Sequence, residues 1–176
     1  MIEASMLNNQ ANYSHSAGEP AIQTALRMYR TARVQAWLGQ VWAMLTGRSD
    51  RLLHLGAVQA SRCHYAGTRA VPIRQIRGSE GRCEDFDAGL RPTQAHSQSR
   101  WLSVATARLK KVTLPPVELV QVGDIYFIRD GHHRISVASA LGEEHIDAEV
   151  TVWDAAGPLP GERPVQRTGR LVTQPR

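Results

Sequence analysis

Ile125-Tyr126-Phe127-Ile128-Arg129-Asp130-Gly131-His132-His133-Arg134-Ile135-Ser136-Val137-Ala138 is the stretch whose reading decides the fold. An apolar run followed by a glycine predicts a strand and a turn. The residues after Gly131 predict a helix whose first turn carries two histidines and an arginine. A helix N-terminus offers free backbone N–H groups and a positive dipole end, and glycine lets an anion approach the backbone. Arg134 adds a forked cation suited to phosphate oxygens. Asp130 is expected either to cap the helix or to contact a ligand or its metal. Neighbouring helical residues point in different directions, so one of His132 and His133 is expected at the ligand while the other packs or bonds backbone. Asp130, Gly131, His132, His133 and Arg134 together predict a phosphate cradle.

Outward from this turn, Val117–Val120 and Tyr126–Ile128 predict two strands joined by a tight turn at Gly123-Asp124. The helix after Gly131 is expected to run to Leu141 and stop at Gly142. Ile146 to Val152 alternates and predicts a final strand. Upstream, Ser99–Lys111 predicts a helix with Trp101, Leu102, Ala105 and Leu109 on one face, ended by Pro115 and Pro116. Val71–Ile76 predicts a short strand, with Pro72 confining it to an edge or a strand start. Gly78–Gly89 reads as a polar loop holding Glu80, Arg82, Asp85 and Asp87.

Residues 1–18 show no periodicity and are expected to lack regular structure. From Pro20, a helix is predicted with Ile22, Leu26, Tyr29, Ala36 or Trp37, Val41 and Met44 at helical spacing. Arg27, Arg30 and Arg33 form a basic stripe elsewhere on it, and Gly47 ends it. A second helix, capped by Ser49 or Asp50 and running toward Tyr65, would complete a helical hairpin. Trp37, Trp42 and Trp101 are expected in the core rather than as base-stacking platforms. Ala66-Gly67-Thr68 is read as the boundary to an α+β domain spanning 67–154, which leaves the hairpin at 19–66 and a basic Pro- and Gly-rich tail at 155–176.

Composition limits the functional classes. At 42% hydrophobic and 21% charged residues the chain can form a core, and no apolar run reaches the ~20 residues of a membrane span. Residues 1–12 lack the regions of a secretory signal, so a cytoplasmic setting without membrane partners is expected. Cys63 and Cys83 form neither a CxxC pair nor a His/Cys cluster, so free thiols and no dedicated metal site are expected. The net charge of +5 is compatible with nucleotides, nucleic acid or another polyanion, and equally with a solvated basic face.

The segment Val71 to Trp153 resembles the ParB/sulfiredoxin-like superfamily. The resemblance rests on Val71-Pro72-Ile73, on Pro115-Pro116-Val117 before a strand, and on the strand–Asp-Gly-His-His-Arg–helix unit at 126–141. It covers about half the chain and implies a small mixed α+β domain of bacterial type that binds a nucleotide at the glycine turn. In sulfiredoxin the turn carries a nucleophilic cysteine; here that position is His132, so that chemistry is excluded. The chromosome-partitioning branch reads Gly-Glu-Arg-Arg and binds CTP; here His132 and His133 replace Glu and Arg. The free serine kinases of this fold share the Asp-Gly-His-His-Arg turn and place a glutamate base after the first strand, a position matched by Glu80.

The leading expectation is a nucleotide- or phosphate-binding module, regulatory or DNA-associated, taking CTP or ATP/ADP with or without Mg²⁺ on the 130–134 turn. Arg82 either clamps a phosphate or pairs with Glu80 or Asp85. The alternative is a small-molecule kinase with Glu80 as general base; a nuclease is a third reading. The N-terminal helices are expected either to pack on the following domain or to join two copies.

Overall fold

The computed structural model describes residues 3–58 and 60–155, with side chains from Pro20 onward except Ala57. The chain forms α1 (Glu3–Thr46), β1 (Leu53–His54), β2 (Ala60–Pro72), β3 (Ile76–Ser79), α2 (Gln98–Leu109), β4 (Val117–Val122), β5 (Ile125–Asp130), α3 (His132–Ala140) and β6 (His145–Ala155). The six strands make one mixed sheet in the order β1-β3-β5-β4-β6-β2. The β1–β3, β3–β5 and β4–β6 pairs are parallel, whereas β4–β5 and β2–β6 are antiparallel. The architecture is α+β, with a long N-terminal helix.

Side-chain alternation on the central strands divides the core between the two faces of the sheet. Val117, Leu119, Tyr126, Ile128, Ala148 and Val150 face α3 and cluster with its Ile135 and Ala138. Val120, Val122 and Phe127 face the other way, where Leu55 from a short 3₁₀ turn covers them. On the helical side a further cluster joins α1, α2 and α3 through Ala25, Tyr29, Trp101, Ala105 and Val137. Trp101 is fully buried and its indole Nε1 donates to Ser136 Oγ at 2.9 Å, which fixes α2 against α3.

The β4–turn–β5, α2, α3 and β6 segments follow their local sequence signals. Gly142 closes α3 with a positive φ of 76°, and Pro72 lies at the end of an edge strand. The first 79 residues depart from expectation in several ways.

The helical hairpin is absent. Only α1 is helical, and the second half of the expected hairpin forms β1, a 3₁₀ turn at Leu55–Ala57 and β2. Long-range pairing decides this: β2 aligns with β6 from Ala60 opposite Ala155 to Pro72 opposite His145, and that ladder overrides the local helical spacing of Leu52, Leu55 and Val58.

The expected boundary at Ala66-Gly67-Thr68 is an irregularity inside β2. Register shifts between the Tyr65 and Thr68 pairs, and Gly67 takes a φ of 84° that its lack of a Cβ permits. The expected strand Val71–Ile76 is split. β2 ends at Pro72, a 3₁₀ turn takes Ile73–Gln75, and β3 begins at Ile76. Gly78 and Ser79 therefore belong to a strand rather than to the polar loop.

Helix α1 starts at Glu3, so residues 3–18 are helical rather than irregular, and Pro20 lies inside the helix rather than at its first turn. Residues 3–18 are rich in Asn, Ser and Ala, of which only Ala is a strong helix former, so local propensity does not account for this part of the helix. Its packed face also differs from expectation. Ala25, Tyr29, Ala32 and Ala36 are buried, whereas Ile22, Trp37, Val41, Trp42 and Met44 are exposed. Small residues allow close approach of α1 to the domain, and the large apolar residues fall on the opposite side. Of the expected basic tail, Ala155 closes β6 and residues 156–176 lie outside the described residues.

Among the described residues, no helix is long and apolar enough to cross a membrane.

Candidate functional site

The turn expected to cradle phosphate lies where β5 gives way to α3. Gly131 takes φ 94° and ψ 21° at the N-cap position, a left-handed conformation that turns the chain from strand to helix in a single residue. A Cβ here would lie 2.5 Å from Val117 Cγ1, so close packing against β4 also requires glycine. Asp130 is the last residue of β5 and does not cap the helix, because no side chain caps α3. Its Oδ2 instead accepts from Arg134 Nη2 at 2.7 Å.

The helix start borders an open cleft of ≈ 230 Å³ lined by Gly131, His132, His133, Arg134, Asp130, Arg82, Arg100, Val104 and Leu114. The structure thus brings together six of the seven residues expected from the sequence and adds Arg100 from α2. Arg100 carried no motif of its own. It lies off the apolar face of its helix, and only the packing of α2 beside α3 places it at the cleft.

Both histidines are buried and both contact Phe86. His132 stacks on that ring at 5.8 Å between centroids, and His133 meets it edge-on at 5.4 Å. Ser79 Oγ lies 2.7 Å from His132 Nε2 and also accepts from the backbone N–H groups of Gly81, at 3.3 Å, and Arg82, at 3.1 Å. With its lone pairs so used, the hydroxyl donates to Nε2, which places the proton of a neutral His132 on Nδ1. His133 Nδ1 is buried with no hydrogen-bond partner among the described residues. Both imidazoles are pushed down to about 4, chiefly by burial, with Arg82 contributing to the shift of both and Arg100 to that of His133. Both rings are neutral at pH 7, so the charge at the cleft comes from arginine. The expectation that one histidine serves the ligand and the other packs gives way to two buried rings that both border the cleft.

Three arginines line the cleft, and they differ in what holds them. Arg134 is committed within the fold: Nη1 donates to the carbonyls of Pro115, at 2.6 Å, and Pro116, at 2.8 Å, while Nη2 holds Asp130. Arg82 makes one long contact, 3.5 Å, to Asp85 and is about half exposed. Arg100 is exposed and has no ion-pair partner among the described residues. Arg82 and Arg100 are therefore the cations available to an anion.

Glu80 lies apart from this group. Its backbone N–H bonds Ile128 O at 2.9 Å, and its carboxylate pairs with Arg129 Nε at 3.0 Å. It is not among the residues lining the cleft. Arg129 in turn lies 5.9 Å from the centroid of Trp153.

A larger cleft of ≈ 730 Å³ opens between the end of α1 and the 83–94 loop. It mixes Arg48 and Arg51 with Asp50, Glu84 and Asp87, and holds none of the expected site residues. Asp87 is buried there and is satisfied by Arg91, whose backbone N and Nε donate to it at 2.8 and 2.7 Å. Burial raises its carboxyl above the usual range, partly offset by those bonds. Cys63 is an exposed free thiol. Cys83 is a part-buried one whose pKa is raised by burial. Among the described residues, no group of three or more His, Cys, Asp or Glu side chains is arranged to hold a metal ion.

No protein-family model matches the chain, and no curated protein matches it. Among solved structures, the chain is similar to sulfiredoxin from Arabidopsis thaliana. The identity is 18% over 47% of this chain and 82% of that one, with a TM-score of 0.36.

Proposed function

We propose that this protein binds a phosphate-bearing ligand, of nucleotide type, with its phosphate end in the cleft at the start of α3. The observation that carries this reading is the convergence of three kinds of group on one small space. These are the open N–H groups of an α-helix behind a left-handed glycine, the unpaired Arg100 with the loosely paired Arg82, and the buried His133 whose Nδ1 has no partner among the described residues. Helix N-termini and arginine forks both favour phosphate oxygens. Buried polar atoms without partners are uncommon in folded proteins and point to a group supplied from outside.

The volume supports binding of the phosphate end alone. A cleft of ≈ 230 Å³ is smaller than the roughly 300–1,000 Å³ of pockets that enclose a whole ligand, so the sugar and base would lie outside it. Neutral imidazoles suit this role, since they add hydrogen bonding without fixing charge. Mg²⁺ is expected to arrive with the nucleotide, because Asp130 alone supplies a carboxylate at the cleft.

A binding module fits these groups better than a kinase. Glu80 could serve as a base only if its pair with Arg129 opened and its carboxylate moved to the cleft. DNA association has no feature of its own beyond net charge, and the nuclease reading has no cluster of metal ligands behind it among the described residues.

Isothermal titration calorimetry with CTP, ATP, ADP and inorganic phosphate, each with and without Mg²⁺, tests the proposal. Saturable binding of at least one nucleotide is expected, weakened tenfold or more in Arg82→Ala and Arg100→Ala. Absence of binding for every compound at millimolar concentration would overturn it. Loss of nucleotide hydrolysis or serine phosphorylation in Glu80→Gln, with affinity unchanged, would move the assignment to the kinase.

A further inference from the structure

Helix α1 carries apolar residues on two opposite sides, and the domain uses only one. At 100° per residue, Ala25, Tyr29, Ala32 and Ala36 cluster on one side, and all four are buried. Val34, Leu38, Val41 and Leu45 cluster on the other, flanked by Trp37 and Trp42, and all six are exposed. The exposure is large where it is least expected: 62% for Trp37, 65% for Trp42 and 76% for Leu45. At typical side-chain areas, roughly 700 Å² of apolar surface lies open here, above the 300–600 Å² of the largest patch on an ordinary monomer.

We propose that this stripe joins two copies of the chain through a helix-to-helix interface about a two-fold axis. Three observations select a second copy as the occupant. The residues at 34, 38, 41 and 45 alternate steps of four and three, which is the spacing of a seam that packs against another helix. The open area is close to the roughly 800 Å² per partner of a standard specific interface, so two copies meeting stripe to stripe would bury an amount that sustains a stable dimer. The stripe is also self-complementary, since Val34–Thr46 contains no charged residue that would be buried unpaired against its twin.

The same lack of charge argues against a lipid surface. Interfacial helices carry lysine and arginine alongside the apolar face, whereas here none lies between Val34 and Thr46 and the face opposite the stripe is packed on the domain. The exposed Arg27 and Arg30 share the stripe's side but lie one to two turns before it. Arg33 Nη1 is bonded to the carbonyl of Thr93 at 2.8 Å. The chain's own segment 156–176 is a poor cover. It holds four prolines, and its few apolar residues lack helical spacing.

Sedimentation velocity of the full chain across a hundredfold concentration range tests the dimer directly. A discrete dimer is expected at tens of micromolar, dissociating on dilution with a red shift of tryptophan emission as Trp37 and Trp42 become wet. Leu38→Glu and Trp42→Glu should each raise the dissociation constant at least a hundredfold while leaving the circular dichroism of the fold unchanged, and Arg74→Glu, exposed on the 3₁₀ turn at Ile73–Gln75, should not. A monomer at every concentration in the unmodified chain would overturn the proposal, whatever the variants do. So would open-ended aggregation in place of a dimer, or a monomer that pellets with anionic phospholipid vesicles.

Discussion

Ser79 Oγ and His132 Nε2 lie 2.7 Å apart with both side chains buried, tying the end of β3 to the first turn of α3. The same hydroxyl accepts the backbone N–H groups of Gly81 and Arg82, so one serine shapes the loop that presents Arg82 and fixes the proton of His132. In Ser79→Ala, three polar groups lose a partner at once. A loss of about 1–3 kcal/mol is expected in urea unfolding, together with weaker nucleotide affinity as Arg82 loses its anchor.

The neutral histidine pair predicts the acid limb of stability. Both folded-state pKa values lie at about 4, below the roughly 6.5 of an unfolded histidine. Between those values the unfolded chain binds protons that the folded chain does not, so the contribution is complete above pH 6.5 and is lost as pH falls toward 4. The slope is about 1.4 kcal/mol per pH unit for each histidine in that window. Denaturant midpoints from pH 7.5 to 4.5 measure it, and replacing His133 with Gln should remove about half of the dependence.

Gly131→Ala adds a methyl where φ is 94° and where Val117 Cγ1 would be 2.5 Å away. Backbone strain and overpacking act together, and a loss of roughly 2–4 kcal/mol is expected in thermal or chemical unfolding. A loss below 1 kcal/mol would mean that β4 yields freely at this point.

Arg134 and Arg100 separate scaffold from ligand contact. Arg134 binds two carbonyls and Asp130, so Arg134→Ala should lower the melting temperature by several degrees before any ligand is added. Arg100 has no such partners, and Arg100→Ala should leave the melting temperature within about 1 °C while weakening phosphate affinity. Differential scanning calorimetry with and without nucleotide distinguishes the two.

Trp101 is the largest fully buried side chain and bonds Ser136 across α2 and α3. Trp101→Ala is expected to cost about 3–5 kcal/mol through the cavity it leaves. Trp101→Phe keeps most of the volume and should cost about 1–2 kcal/mol, chiefly from the unpaired Ser136 hydroxyl.

Local chain geometry and long-range packing agree in β4, β5, α3 and β6, and that half of the molecule was legible in the sequence. Alternation along β4, β5 and β6, the left-handed Gly131, and the stop at Gly142 are properties of a few adjacent residues, and they placed the cleft-forming turn correctly. Elsewhere the outcome depends on a partner far along the chain. Residues 60–72 became a strand because β6 offers a ladder about 80 residues away, and no local spacing encodes that partner. Helix α1 buried its alanines rather than its tryptophans because close approach to α2 favours small side chains, which leaves the larger face unpartnered. At the candidate site, residue types predict a phosphate cradle, but which cations are tied into the fold was set by proximity in space. Pro115 and Pro116 hold Arg134, Arg129 holds Glu80, and Arg100 arrives from a neighbouring helix.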